Sequence, residues 1–334
     1  MRSPALALVV AALAARPAGA ETVWEQAAPE VDLAVRQTYA LAMQQGDAAV
    51  AAAADEMTAL STSSRVAQVG AALAAYRRAR IAWPDGAEAA YRLGTTAFTF
   101  FVACPGPFAE TLPCRRQRAE HAQLTLDAWH DFTRLAPKDP RATALLFERA
   151  LLHTRMLLIG TDDPEAHLRA AAADYQTRLD RGDGINGLRD PSLGNLAETY
   201  MMLGDLDRAI PLYRAAVAAG GGPSVAYGLA VALDRDEQGA QAREIAQAQG
   251  PSQLERFRIA VEQLQDPFFV PEGEKHYYYA LVEEALGLDA LALASYDRFL
   301  ASGAYPRYAA RARANRAAVA ERLAQRALAR PGRR

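Results

Sequence analysis

The chain has 334 residues, a formal net charge of −2 and 51% hydrophobic residues. The near-neutral charge argues against nucleic acid as a general partner, which requires a basic footprint. Alanine dominates, aromatics make up only 8%, and β-branched runs are nearly absent, so an all-α protein of one or two domains is expected.

The first twenty residues carry Arg2, an apolar run from Ala5 to Ala15 and the small-residue triplet Ala18-Gly19-Ala20. That is the pattern of a secretory signal peptide, 1–20, cleaved near Ala20. The run is shorter than the ~20 residues that span a bilayer. No cysteine follows Ala20, so no lipid anchor is expected. Of 37 basic residues only Lys138 and Lys275 are lysines, a bias that points to a GC-rich bacterial genome. Export then implies a periplasmic or secreted protein.

Residues 21–180 form the expected N-terminal half. Val31, Val35, Tyr39 and Ala42 or Met43 recur at helical spacing, Gln45-Gly46-Asp47 is expected to turn the chain, and an alanine-rich helix then reaches about Leu60. Ser61 to Ser64 supplies an N-cap. Ala72, Tyr76 and Ala79 follow, with Pro84 as a helix stop. Ala87 to Phe98 places Ala90, Leu93, Gly94 and Ala97 on one face, where Gly94 lets two helices cross closely. CPGPFAETLPC then holds both cysteines of the chain, Cys104 and Cys114. In an oxidising compartment this pair reads as a disulfide. Closing so short a loop would contribute roughly 2–3 kcal/mol on the chain-entropy model. A helix resumes at about Arg115, carries Leu124, Leu126, Trp129 and Phe132, and stops at Pro137 to Pro140. A further pair spans Ala142–Ile159 and Pro164–Leu179, the second started by Asp162-Asp163-Pro164. A glycine-rich link, 181–190, separates the halves.

The C-terminal half, 191–328, begins with the most regular stretch. Leu193, Leu196, Ala197 and Tyr200, a Gly204-Asp205 turn, then Ala209, Tyr213, Ala216 and Val217 describe two amphipathic helices. This stretch, Asp190 to Pro223, resembles a tetratricopeptide (TPR) repeat, the 34-residue helix-turn-helix unit of interaction solenoids. Tyr227, Gly228 and Val231, then Ala240 and Ala248, give a shorter pair over Ser224–Gly250, and a helix follows from Pro251 to Gln265. Tyr279, Ala280, Ala292, Tyr296 and Phe299 resemble a further copy, and a helix from Pro306 to about Leu328 precedes a basic tail, 329–334. The resemblance implies a right-handed α-solenoid of TPR-like helix pairs, with a disulfide-closed insertion.

In such stacks the first helix of each pair lines a concave face. The resemblance therefore assigns partner contacts to Tyr91, Arg92 and Thr95, to Asn195, Glu198 and Met202, and to Tyr277, Tyr278 and Leu281. An asparagine at the position of Asn195 bonds the ligand backbone in peptide-clamping members of the family. The lysines that usually accompany it are absent here.

No catalytic set is legible. His121, His130, His153, His167 and His276 lack metal-ligand spacing, and no GxSxG, GxGxxG or Walker sequence occurs. No metal or cofactor is expected, and the protein is not expected to be an enzyme. His153 and His167, among apolar and charged helix residues, read as structural. The Asp180–Pro191 loop has aspartates among glycines, but its glycines fall where an EF-hand needs oxygen ligands, so it reads as a linker. Phe268-Phe269 and Tyr277-Tyr278-Tyr279 give a local aromatic density that suits core or a pocket. Nine arginines from Arg307 to Arg334 stand against one acid, Glu321. They read as a solvated helix and tail, with an anionic surface as the alternative partner. The function expected is an exported, non-enzymatic scaffold that binds a protein or peptide in its concave groove. The alternative is a periplasmic small-molecule receptor or transporter-associated accessory with a pocket near the DPFFVPEGEK loop.

Overall fold

The structure is a computed structural model that describes residues 32–54, 62–102, 112–159, 161–182, 191–262, 270 and 273–329. Residues 1–20, expected to form a signal peptide, Cys104 and the Cys114 side chain, residues 183–190 of the link, Phe268-Phe269 and residues 330–334 of the tail lie outside the described residues. Among those described, all regular structure is helical. No described helix is long and apolar enough to cross a membrane. The chain divides into two compact units, Met1–Leu145 and Leu146–Arg334. The division falls inside a helix, upstream of the glycine-rich link.

In the first unit, α1 (Leu33–Ala54) and α2 (Thr62–Ala82) form a hairpin, and α3 (Ala87–Ala97) is extended by a π-helical turn, Phe98–Val102, before α4 (Leu112–Leu135). The turn expected at Gln45-Gly46-Asp47 does not occur: α1 runs through it without a break. Gly46 is small for a packing reason instead, because a Cβ there would overlap the ring of Tyr76 on α2. The Tyr76 hydroxyl donates to Asp47 at 2.7 Å, so the Gly-Asp pair holds a partner helix rather than a turn. Gly94 meets its expectation. A Cβ there would come within 2.6 Å of the Trp129 indole, and that indole N–H donates to Thr95 at 3.3 Å.

The second unit contains most of α5 (Pro140–Ile159), then α6 (Pro164–Arg181), α7 (Pro191–Leu203), α8 (Leu206–Ala218), α9 (Pro223–Arg235), α10 (Gly239–Gln249), α11 (Pro251–Glu262), α12 (Lys275–Ala285), α13 (Asp289–Ser302), a 3₁₀ turn at Pro306–Tyr308 and α14 (Ala309–Leu328). The helix starts follow local chemistry. Asp163 and Asp205 each cap a helix by accepting from a backbone N–H three residues on, at 2.9 and 3.1 Å. Gly204, at φ 83°, supplies the left-handed backbone between α7 and α8. Neighbouring helices pack as successive hairpins, and Tyr213, Tyr227, Phe257, Tyr277, Tyr278, Tyr296 and Phe299 share one buried cluster. Gly228 brings α9 onto the Tyr213 ring, where a Cβ would approach to 2.5 Å.

Candidate functional site

Helices α7, α9 and α12 carry a stripe of polar residues, and it is buried. The Glu198 carboxylate accepts from the phenols of Tyr213 on α8 and Tyr278 on α12 through one oxygen, Oε2. Its other oxygen has no hydrogen-bond partner among the described residues. Beside it Arg235 of α9 pairs with Glu274 at the start of α12, both side chains 1% exposed. The Arg235 guanidinium lies between the rings of Tyr277, 4.7 Å away, and Tyr308, 4.0 Å away. Two acids thus share one buried cation. Burial, then repulsion from Glu274, raises the Glu198 carboxyl to about 7, against the lowering effect of the two phenols and Arg235. Glu274 is also raised by its burial, which outweighs the attraction of Arg235.

What seals this stripe is the chain's own return. The Tyr308 hydroxyl donates to the Met201 carbonyl at 3.3 Å and Arg307 donates to the Leu203 carbonyl at 2.8 Å. Arg311 and Asn315 both donate to Asp234, which also accepts from Tyr277. A segment more than seventy residues downstream therefore fills the space in front of α7 and α9.

A cleft of about 740 Å³ stays open where that return passes the ends of α5 and α7. Its apolar lining comes from Leu157, Leu168, Met202, Leu203 and Tyr305, and its rim from Arg169, Arg208 and Arg307 with Glu165 and Asp205. Tyr305 connects the cleft to the buried acids, since its phenol is pushed up by burial and by the negative potential of Glu274 and Glu198. Tyr305 is also one of two described non-glycine residues at positive φ, 48°. Such a conformation persists where surrounding contacts over-determine it.

Of the nine positions assigned to partner contacts, eight are buried: Arg92, Thr95, Asn195, Glu198, Met202, Tyr277, Tyr278 and Leu281. They are not presented on an open face. The structure brings Glu198 and Tyr278 together directly and sets Met202 in the cleft wall. Tyr91 alone stays half-buried, stacked under Arg141 at 4.3 Å and beside Phe132. Arg92 bonds Glu88 at 2.9 Å, and Thr95 accepts from Trp129. The wider aromatic density at Tyr277, Tyr278 and Tyr279 is core.

Four of the C-terminal arginines are taken up by carboxylates within the fold. Arg311 pairs with Asp234, Arg316 with Asp297, Arg322 with Glu284 and Asp289, and Arg326 with Asp289. His153 and His167 approach each other through their Nδ1 atoms at 2.8 Å, a contact that one shared proton satisfies. Among the described residues no group of three or more His, Cys, Asp or Glu is placed to hold a metal ion.

Sequence reasoning expected a pocket near the DPFFVPEGEK loop, whose Gly273 lines the cleft, but missed its other walls, which come from residues near 157–169, 202–208 and 305–307. The local signals present were the Asp caps and Gly204, which mark where helices end but not which ends meet. No protein-family model matches the chain, and no curated protein is similar to it.

Proposed function

We propose that the protein is an exported, non-enzymatic binding protein built as a TPR-like right-handed α-solenoid, and that its C-terminal unit receives a small ligand in the Leu157–Arg307 cleft. The cleft carries this reading: about 740 Å³ with an apolar lining and a few convergent charged groups, within the range typical of small-molecule sites. The successive hairpins and the close helix crossings at Gly94 and Gly228 support the solenoid reading. The leader-like residues 1–20 support export. A thermal-shift screen of the mature chain against organic acids and lipids tests it. The expected result is a ligand-dependent rise in melting temperature that is lost when Leu157→Trp fills the cleft. No rise with any compound would overturn it.

A second reading, a scaffold that binds a peptide partner, is favoured by one observation. The carbonyls of Met201 and Leu203 and the carboxylate of Asp234 already hold a peptide, the chain's own Tyr305–Asn315 segment. On this reading Tyr91, the one half-buried member of the assigned set, gives partner contact. Tyr91→Ala would then release proteins that co-purify with the chain from a native extract. Unchanged co-purification would remove the role of Tyr91.

A further inference from the structure

The charges around the cleft go beyond its being a binding site and name the class of ligand; this step rests on the small-ligand reading above. Three guanidinium groups and two carboxylates line the rim. Arg169 is held by Glu165, with Nε to Oε1 at 3.1 Å. Arg208 is held by Asp205, with Nε to Oδ2 at 2.5 Å, and its guanidinium covers the Tyr200 ring. Arg307 differs. It donates to the Leu203 carbonyl, and no described carboxylate pairs with it. The rim therefore carries one uncompensated positive charge, and the charge is on Arg307.

Arg307 is also held in place. Its guanidinium sits over the end of α7 at Gly204, where a Cβ would overlap it, and it shares a turn with Tyr305, whose positive φ fixes the direction of the chain. The same cleft is lined by the apolar side chains of Leu157, Leu168, Met202 and Leu203. A donor fork fixed beside an apolar wall suits a carboxylate or similar monoanionic head followed by an aliphatic chain, because the fork pairs two oxygens at once. The acids buried behind Tyr305 do not reach the cleft surface. Glu198 and Glu274 are both fully buried, so they do not supply a site for a cationic head.

We infer that the cleft binds a free monoanionic amphiphile, its head on Arg307 and its chain along Leu157, Leu168 and Met202. Calorimetric titration of the full-length mature protein with octanoate, acetate, octylammonium and 1-octanol, each as monomer in solution, tests this. Octanoate is expected to bind; acetate, which lacks the chain, and octylammonium, which carries the wrong charge, are not. Arg307→Gln, at an exposed position, is expected to weaken octanoate about tenfold or more and to leave octanol unchanged. If octylammonium or octanol binds as tightly as octanoate, the monoanion assignment is overturned while the cleft stands as a site. If no octyl compound binds and Leu157→Trp titrates like the wild type, the cleft reading falls as well. Association with anionic phospholipid vesicles without binding of octanoate would overturn the assignment to a free ligand.

Discussion

The phenol of Tyr278 donates to the carboxylate of Glu198 across eighty positions of sequence, and both groups are fully buried. This bond joins α7 to α12 and sets an acid against the aromatic core of the second unit. Glu274 lies close enough to repel it and the buried Arg235 supplies positive charge, so the pair is held by its surroundings rather than by its own balance.

Glu198 makes stability depend on pH in one direction. Its carboxyl is raised to about 7 in the fold, from about 4.5, so the folded state holds the proton more tightly than the unfolded chain. The sign follows: the fold has no penalty below about pH 4.5, loses stability as pH rises toward 7, and stays at the lower value above it. The loss is roughly 3 kcal/mol. Glu198→Gln removes this segment of the profile. Urea denaturation at a series of pH values should show the difference between variant and wild type growing in favour of the variant from pH 4.5 to 7, then levelling. A constant difference would mean that Glu198 does not titrate there.

Arg235 is the buried cation paired with Glu274 in this cluster, which gives a paired prediction. Arg235→Met leaves Glu274 and Glu198 uncompensated and should cost about 3–5 kcal/mol. Combining it with Glu274→Met removes the orphaned charge, so the double variant should recover much of the loss. Chemical denaturation of the three proteins checks the cycle, and additive effects would contradict the pairing.

Two helix glycines should respond in opposite directions to the same change. Gly94→Ala forces a methyl against the Trp129 indole and should destabilise by about 1–3 kcal/mol. Gly70 lies exposed on α2 with nothing near its Cβ position, so Gly70→Ala should stabilise by about 0.5–1 kcal/mol through helix propensity. Thermal melts of the two variants read both signs.

Asp234 ties the returning C-terminal segment to α9 through Arg311, Asn315 and Tyr277. Asp234→Ala should lower stability by about 1–3 kcal/mol as the buried Tyr277 hydroxyl and the half-buried Arg311 and Asn315 lose their acceptor. It should also raise amide exchange in α14 more than in α1. Equal change in both helices would show that Asp234 does not anchor this segment.

Much of the fold was legible in the sequence because it is written locally. The sequence pattern set α2 to α14, the Asp163 and Asp205 caps marked helix starts, and Gly94 announced a close crossing. Gly46 misled because a Gly-Asp step has the same composition whether it turns the chain or seats a tyrosine ring; only Tyr76, thirty residues later, decides. The site was less legible for the same reason. A helical wheel places Asn195, Glu198 and Tyr278 on an inner face but cannot show that Tyr308 and Arg311 come back to cover it. The cleft left beside that covering segment depends on Arg307 meeting Leu203, a pairing without a local signature.

The most direct measurement is hydrogen–deuterium exchange of residues 21–334 with and without saturating octanoate. Ligand in the cleft predicts added protection confined to the ends of α5 and α7, the first turns of α6 and α8, and the Tyr305–Tyr308 turn. No change in those segments at saturation, or protection centred on helices away from the cleft, would contradict the account.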